Sequence, residues 1–230
     1  YSNAVFILSS PYTMMKGQED IVYSKLYYRN LFEQNGFVPF LFERKSYVVF
    51  ILLHTKDCKA SRDLLNSLFS TLQTTDFYKK QQAQGYQLAI GKIVADVEEI
   101  PKSYQTALET LYICRKVQTT SFFYDDLHLY YLIYKLQMQV DLQEVIQDYL
   151  QPVIEYDKKY NSKLLETLQV YLQTNGSKQQ TANQLFIVRQ TLYHRLKKLE
   201  NLLGENFMKG HNRITLEFML LAHSLIEDKK

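Results

Sequence analysis

Residues 175–203, NGSKQQTANQLFIVRQTLYHRLKKLENLL, decide how this chain is read. Asn175-Gly176 reads as a helix stop, because Gly and Asn tolerate the left-handed conformation needed just past a helix C-terminus. Ser177 is placed to cap the next helix, with Gln180 three residues on at capping-box spacing. Ala182 and Leu185 give that short helix an apolar side, and Phe186, Ile187 and Val188 carry the chain through a turn. A longer helix follows, about 189–203. At 100° per residue Leu196, Leu199 and Leu203 fall within about 40° of Leu192, a stripe for burial. Short helix, turn and longer helix together make the layout of a helix-turn-helix.

The opposite arc of the second helix holds Gln190, His194, Lys197 and Asn201, flanked by Thr191, Tyr193 and Lys198, with no carboxylate before Glu200. Phosphate is met by Lys and Arg, and base edges in the major groove by forked donors and amides. The N-terminal part of the second helix is the part that enters the groove. Arg189, Gln190, Thr191, Tyr193 and His194 are therefore expected to read sequence, Lys197 and Lys198 to hold backbone, and Ser177 to stand at the start of the first helix. The partner implied is double-stranded DNA.

The wider run from Asp148 to Gly204 resembles the C-terminal DNA-binding region of PucR/CdaR-type bacterial transcription regulators. The resemblance rests on Leu150, Pro152, Tyr156 and Asp157; on Leu164, Leu165, Thr167 and Leu168; on Asn175, Gly176 and Ser177; and on Arg189, Thr191, Leu192, Tyr193, Arg195 and Leu196. Gln190 stands where that family usually has Asn, and His194 replaces a common Tyr. Val188 occupies a position usually held by a capping residue. Having no oxygen for the N-terminal amides, it is expected to weaken the helix start by about 1 kcal/mol.

Charge supports the same division. The net charge of +3 is too small to indicate nucleic acid, but Lys158 to Arg213 holds ten Lys or Arg against three Glu. The rest of the chain is net acidic, as expected for a body that does not meet phosphate. Hydrophobic residues at 46% and charged residues at 22% are globular composition. Cys58 and Cys114 are too few for a disulfide framework and read as two buried thiols in a reducing compartment. The longest apolar run, Tyr47 to Leu53, is only strand length, and no secretory signal is visible, so cytoplasm and no membrane partner are expected. The start at Tyr1 without Met suggests a fragment, with Ser2-Asn3-Ala4 a leftover of cloning ahead of the first strand.

The first half alternates strand and helix: strand 5–9, helix 19–34, strands 37–42 and 47–54 as a hairpin, helix 59–72, strand 86–94, a helix opened by Pro101 and running to Lys116, and a last strand 121–124. Asp125-Asp126 is expected to cap the next helix. The expected class is α+β, a mixed sheet with helices on one side, then an all-α helix-turn-helix domain. This half is similar to the degenerate GGDEF-like domain of many such regulators, through Leu88-Ala89-Ile90-Gly91 and Ser103-Tyr104-Gln105-Thr106-Ala107. Active GGDEF domains condense GTP using a Gly-Gly hairpin beside metal-holding carboxylates. Here Glu43-Arg44-Lys45-Ser46-Tyr47 has no Gly pair, and Lys45-Ser46 replaces the acids. A cation cannot ligate magnesium. No catalysis, cofactor or metal site is expected, the five His being dispersed.

The expected domains are 1–128, the GGDEF-like part; 129–162, a helical connector; and 163–230, the DNA-binding part. The resemblance implies a regulator, often with a small-molecule effector sensed by a separate N-terminal domain; because one short helix reads too few bases, it is expected to act as a homodimer on paired half-sites about one helical turn apart. The alternative is a ligand-sensing or protein-interaction module whose helix-turn-helix serves a protein contact.

Overall fold

The computed structural model describes residues 1–9, 18–44, 47–117 and 121–227. The described chain divides into two compact units, Tyr1–Tyr131 and Leu132–Lys230. The first contains β1 (Ser2–Ser9), α1 (Gln18–Gln34), β2 (Val38–Arg44), β3 (Tyr47–His54), α2 (Cys58–Thr74), α3 (Asp76–Ala83), β4 (Gln87–Ile90) and α4 (Ile100–Val117). Among the described residues the strands form one sheet in the order β2-β3-β1-β4, antiparallel at each pairing. With α1 and α2 this is a split β-α-β arrangement.

β1 is buried along its whole length because both of its faces are covered. Ala4, Phe6 and Leu8 point into a core with Tyr28 and Phe32 of α1 and Leu65, Phe69 and Leu72 of α2. Val5 and Ile7 point the other way, against Ala107 and Leu111 of α4. Phe6 sits between the rings of Tyr28 at 5.0 Å, Phe32 at 5.2 Å, and Phe50 and Phe69 at 5.6 Å. Removing such a ring costs about 3–5 kcal/mol. The rings of Phe6, Tyr28, Phe32, Phe50 and Phe69 therefore serve packing.

α4 lies unusually close to the sheet. A Cβ at Gly91 would fall 1.9 Å from the Ser103 carbonyl oxygen, so only a hydrogen fits. Val5 N–H donates to Ser103 Oγ at 2.9 Å, and Lys92 N–H to Thr106 Oγ1 at 2.8 Å.

Several sequence expectations are corrected. Among the described residues the four strands pair antiparallel and not as a mixed sheet, the isolated Ile90–Phe123 bridge being parallel: strand patterning reports burial and carries no information on neighbour direction. The helices cover both faces, since α4 lies opposite α1 and α2. The strand expected at 121–124 is a single bridge, Ile90 to Phe123, followed by a 3-10 turn at Tyr124–Asp126. Strand 86–94 shortens to β4, ending where Gly91 admits α4. Ser2, Asn3 and Ala4 are buried members of β1, and Asn3 Nδ2 donates to the Ala95 carbonyl at 3.1 Å. Asp126 is drawn to Arg62 of α2 at 2.7 Å, while that guanidinium lies 3.6 Å over the Phe123 ring. Lys45 and Ser46 lie outside the described residues; Glu43 beside them pairs with Lys25 at 2.6 Å.

α5 (Leu129–Leu136) spans the division between the units. The second unit continues with α6 (Leu142–Tyr160), α7 (Leu164–Gln173), α8 (Lys178–Gln184), α9 (Arg189–Leu203) and α10 (Gly210–Ile226). Asp141 caps α6 by accepting from Gln143 and Glu144 N–H, and Pro152 lies inside that helix. α6 packs on α7, α9 and α10, burying Ile146, Leu150 and Val153. No described helix is long and apolar enough to cross a membrane.

Candidate nucleic-acid interface

The helix stop at residue 175 forms as its residues dictate. Asn175 and Gly176 both have left-handed φ, 53° and 79°, which ends α7 and turns the chain toward α8. Arg213 of α10 fixes the corner by donating to Asn175 Oδ1 at 2.5 Å. Thr174 and Thr181 meet through their buried hydroxyls at 2.7 Å, tying the end of α7 to α8. Ser177 caps α8, its Oγ accepting the Gln180 N–H at 3.4 Å. Only this half of the expected capping box forms, because the Ser177 N–H donates to the Thr174 carbonyl at 3.0 Å.

α9 spans Arg189–Leu203, and Leu192, Leu196 and Leu199 are buried as the angular stripe requires. A second tie crosses beneath it: Arg195 Nη1 donates to Thr167 Oγ1 of α7 at 3.1 Å. This Arg is half-buried and turned inward, so it holds the helix in place.

On the outer side Arg189, Gln190, Tyr193, His194 and Lys197 are exposed together. Gln190, His194 and Lys197 follow one another at helical spacing, with Tyr193 beside them. Thr191 is half-buried at the flank. Lys198 is also half-buried, its Nζ 4.3 Å over the ring of Tyr156 in α6. The sequence reading did not single out Lys178. It is exposed at the start of α8, with its Nζ 4.5 Å over the Tyr193 ring. Its place directly after the cap Ser177 marks it as the first residue of α8, and the contact with Tyr193 is what brings it to α9.

The electrostatics have one sign. Neither α8 nor the first two turns of α9 carries a carboxylate. The free N–H groups at the start of α9 add the positive end of the helix dipole, about half a charge. Val188 precedes them in an extended conformation and has no side-chain oxygen to accept their hydrogens. The arrangement can bind a polyanion and offers an amide, a guanidinium and an imidazole to groups lying between its phosphates.

Comparison with known proteins finds 30% identity over 165 residues with an uncharacterized protein of Haemophilus influenzae, covering 70% of this chain and 43% of that protein. A purine catabolism regulatory protein of Bacillus subtilis is 28% identical over 142 residues, covering 60% of this chain and 26% of that protein. The chain thus spans less than half the length of both relatives. The crystal structure of a regulator of polyketide synthase expression from Bifidobacterium adolescentis aligns over 99% of this chain and 86% of its own, at 13% identity and a TM-score of 0.36. Residues 164–222, from the first residue of α7 into α10, match the PucR C-terminal helix-turn-helix domain, and the chain carries that domain.

Proposed function

We propose that this chain is part of a transcriptional regulator that binds duplex DNA sequence-specifically, with α9 in the major groove. The observation that carries the reading is the exposed row Arg189, Gln190, His194 and Lys197 on a helix whose opposite side is seated on α7. In this reading Arg189, Gln190, Thr191, Tyr193 and His194 meet base edges, and Lys197, Lys198 and Ser177 meet or flank the backbone. One short helix reads few base pairs, so the chain works as a homodimer on half-sites about one helical turn apart. Residues 163–230 form the DNA-binding part and 129–162 the connector. Residues 1–128 are a GGDEF-like module without catalysis, a reading supported by the split β-α-β order of its strands and helices.

The test is selection of a binding site from random duplexes with the whole chain, followed by titration at fixed salt. Arg189→Ala is expected to weaken the selected site by about 1–3 kcal/mol and to relax sequence choice. Lys197→Ala is expected to weaken all sequences and lower the salt slope by about one. Unchanged affinity in Arg189→Ala overturns the assignment of the reading face. Failure to select any site, with self-association retained in the ultracentrifuge, indicates that the motif serves a protein contact.

A further inference from the structure

The turn that leads into α9 is apolar where a solvent-facing turn would be polar. Phe186 is 95% exposed and has a left-handed φ of 54°, and Val188 is 68% exposed. Both positions run against local preference. A left-handed backbone favours Gly or Asn, and the position before a first helical residue favours an oxygen-bearing side chain. Folding of this unit therefore does not account for the choice of residues, which points to something that covers them.

The surroundings say what kind of surface that is. From Ser177 to Leu199 the chain contains no Asp or Glu, while Lys178, Arg189 and Lys197 stand exposed in the same segment. An apolar tip on a segment whose only charges are cations is complementary to a surface that is apolar in small spots and anionic at its rim. The major groove has that character. Thymine alone presents a methyl group there, between two lines of phosphate.

Val188 is also held firmly. The turn is fixed by Phe186 N–H donating to the Asn183 carbonyl at 3.2 Å and Ile187 N–H to the Ala182 carbonyl at 3.1 Å. The Val188 carbonyl accepts the Leu192 N–H at 3.2 Å, the first bond of α9. A β-branched side chain on a fixed backbone has little rotamer freedom to lose on contact.

We propose that Val188 is a specificity-determining residue whose isopropyl group packs on the 5-methyl of a thymine next to the bases met by Arg189 and Gln190. This rests on the reading that α9 enters the major groove. Val188 thus selects T·A over other pairs at one position of each half-site without making a hydrogen bond.

The experiment replaces each thymine of the selected site, one at a time, by uracil, which removes the methyl group and nothing else from the groove. Binding by the whole chain is titrated at fixed salt for the wild type and for Val188→Ser. The serine variant regains a capping oxygen, so its thermal unfolding is expected at or above the wild-type temperature. At one thymine of each half-site, uracil is expected to weaken the wild type about fourfold, the worth of one buried methyl. At that thymine Val188→Ser is expected to bind the thymine and uracil duplexes equally. If no thymine responds, or if Val188→Ser keeps the same loss, the inference is overturned while the reading of α9 stands. If no duplex is selected above random sequence, that reading fails and takes the inference with it.

Discussion

The carboxylate of Asp157, near the end of α6, accepts the backbone N–H groups of Leu164 at 2.7 Å and Leu165 at 2.8 Å. It also accepts from the Ser162 hydroxyl. One side chain therefore closes the corner between α6 and α7 and satisfies two of the amides that every helix leaves free at its start. Asn161 and Lys163 take left-handed φ, 49° and 57°, to make the corner tight enough. Asp157→Ala is expected to destabilise the second unit by about 2 kcal/mol. Hydrogen exchange at the Leu164 and Leu165 amides should accelerate in that variant, and unchanged protection there would sink the assignment.

Arg195 and Lys197 lie two residues apart on α9 and should fail in different ways. Arg195 bonds to Thr167 of α7 at 3.1 Å, whereas Lys197 is exposed. Arg195→Ala is expected to lower the urea midpoint, a loss of about 1–2 kcal/mol, with the salt slope of DNA binding unaltered. Lys197→Ala is expected to lower the slope and leave the midpoint in place. A changed slope in Arg195→Ala would show that its inward bond is not its main role.

His54, at the end of β3, gives the first unit a pH dependence. Its Nδ1 accepts the Lys56 N–H at 3.1 Å and lies 3.1 Å from the Ser61 hydroxyl, which meets Ser2 Oγ at 2.6 Å. Burial, and then the charge of Lys56, hold its pKa below 6.5. Above that pH both folded and unfolded imidazoles are neutral, and the group does not favour unfolding. As the pH falls through 6.5 the unfolded chain takes up the proton first, so stability drops until the folded imidazole protonates as well. His54→Gln should flatten this part of the urea-midpoint profile between about pH 7 and pH 5. Parallel profiles for the two proteins would rule the mechanism out.

The helix-turn-helix was legible because its signals are local. The Asn175-Gly176 stop, the Ser177 cap and the Leu192, Leu196 and Leu199 stripe each depend on residues within a turn or two, and α9 begins and ends where they place it. Lys198 was not legible in the same way. Its helical angle leaves it on the flank, and the ring it covers comes from α6, far away in sequence. Asp126 went to Arg62 for the same reason: a charged partner on another element outcompeted a local cap. In the first unit most elements were readable from periodicity. The direction of strand pairing and the side taken by α4 depend on long-range contacts that no window of sequence contains.

The bare hydrogen at residue 91 acts as a gauge for the first unit. What blocks a larger group there is the peptide oxygen of Ser103, so trimming side chains nearby cannot open room for it. A chain with any other residue at that point would have to lift α4 off the sheet. It would then lose the hold of Ser103 on Val5 and of Thr106 on Lys92 in the same movement. The thickness between the last long helix of this unit and its middle strand is set by the smallest atom available.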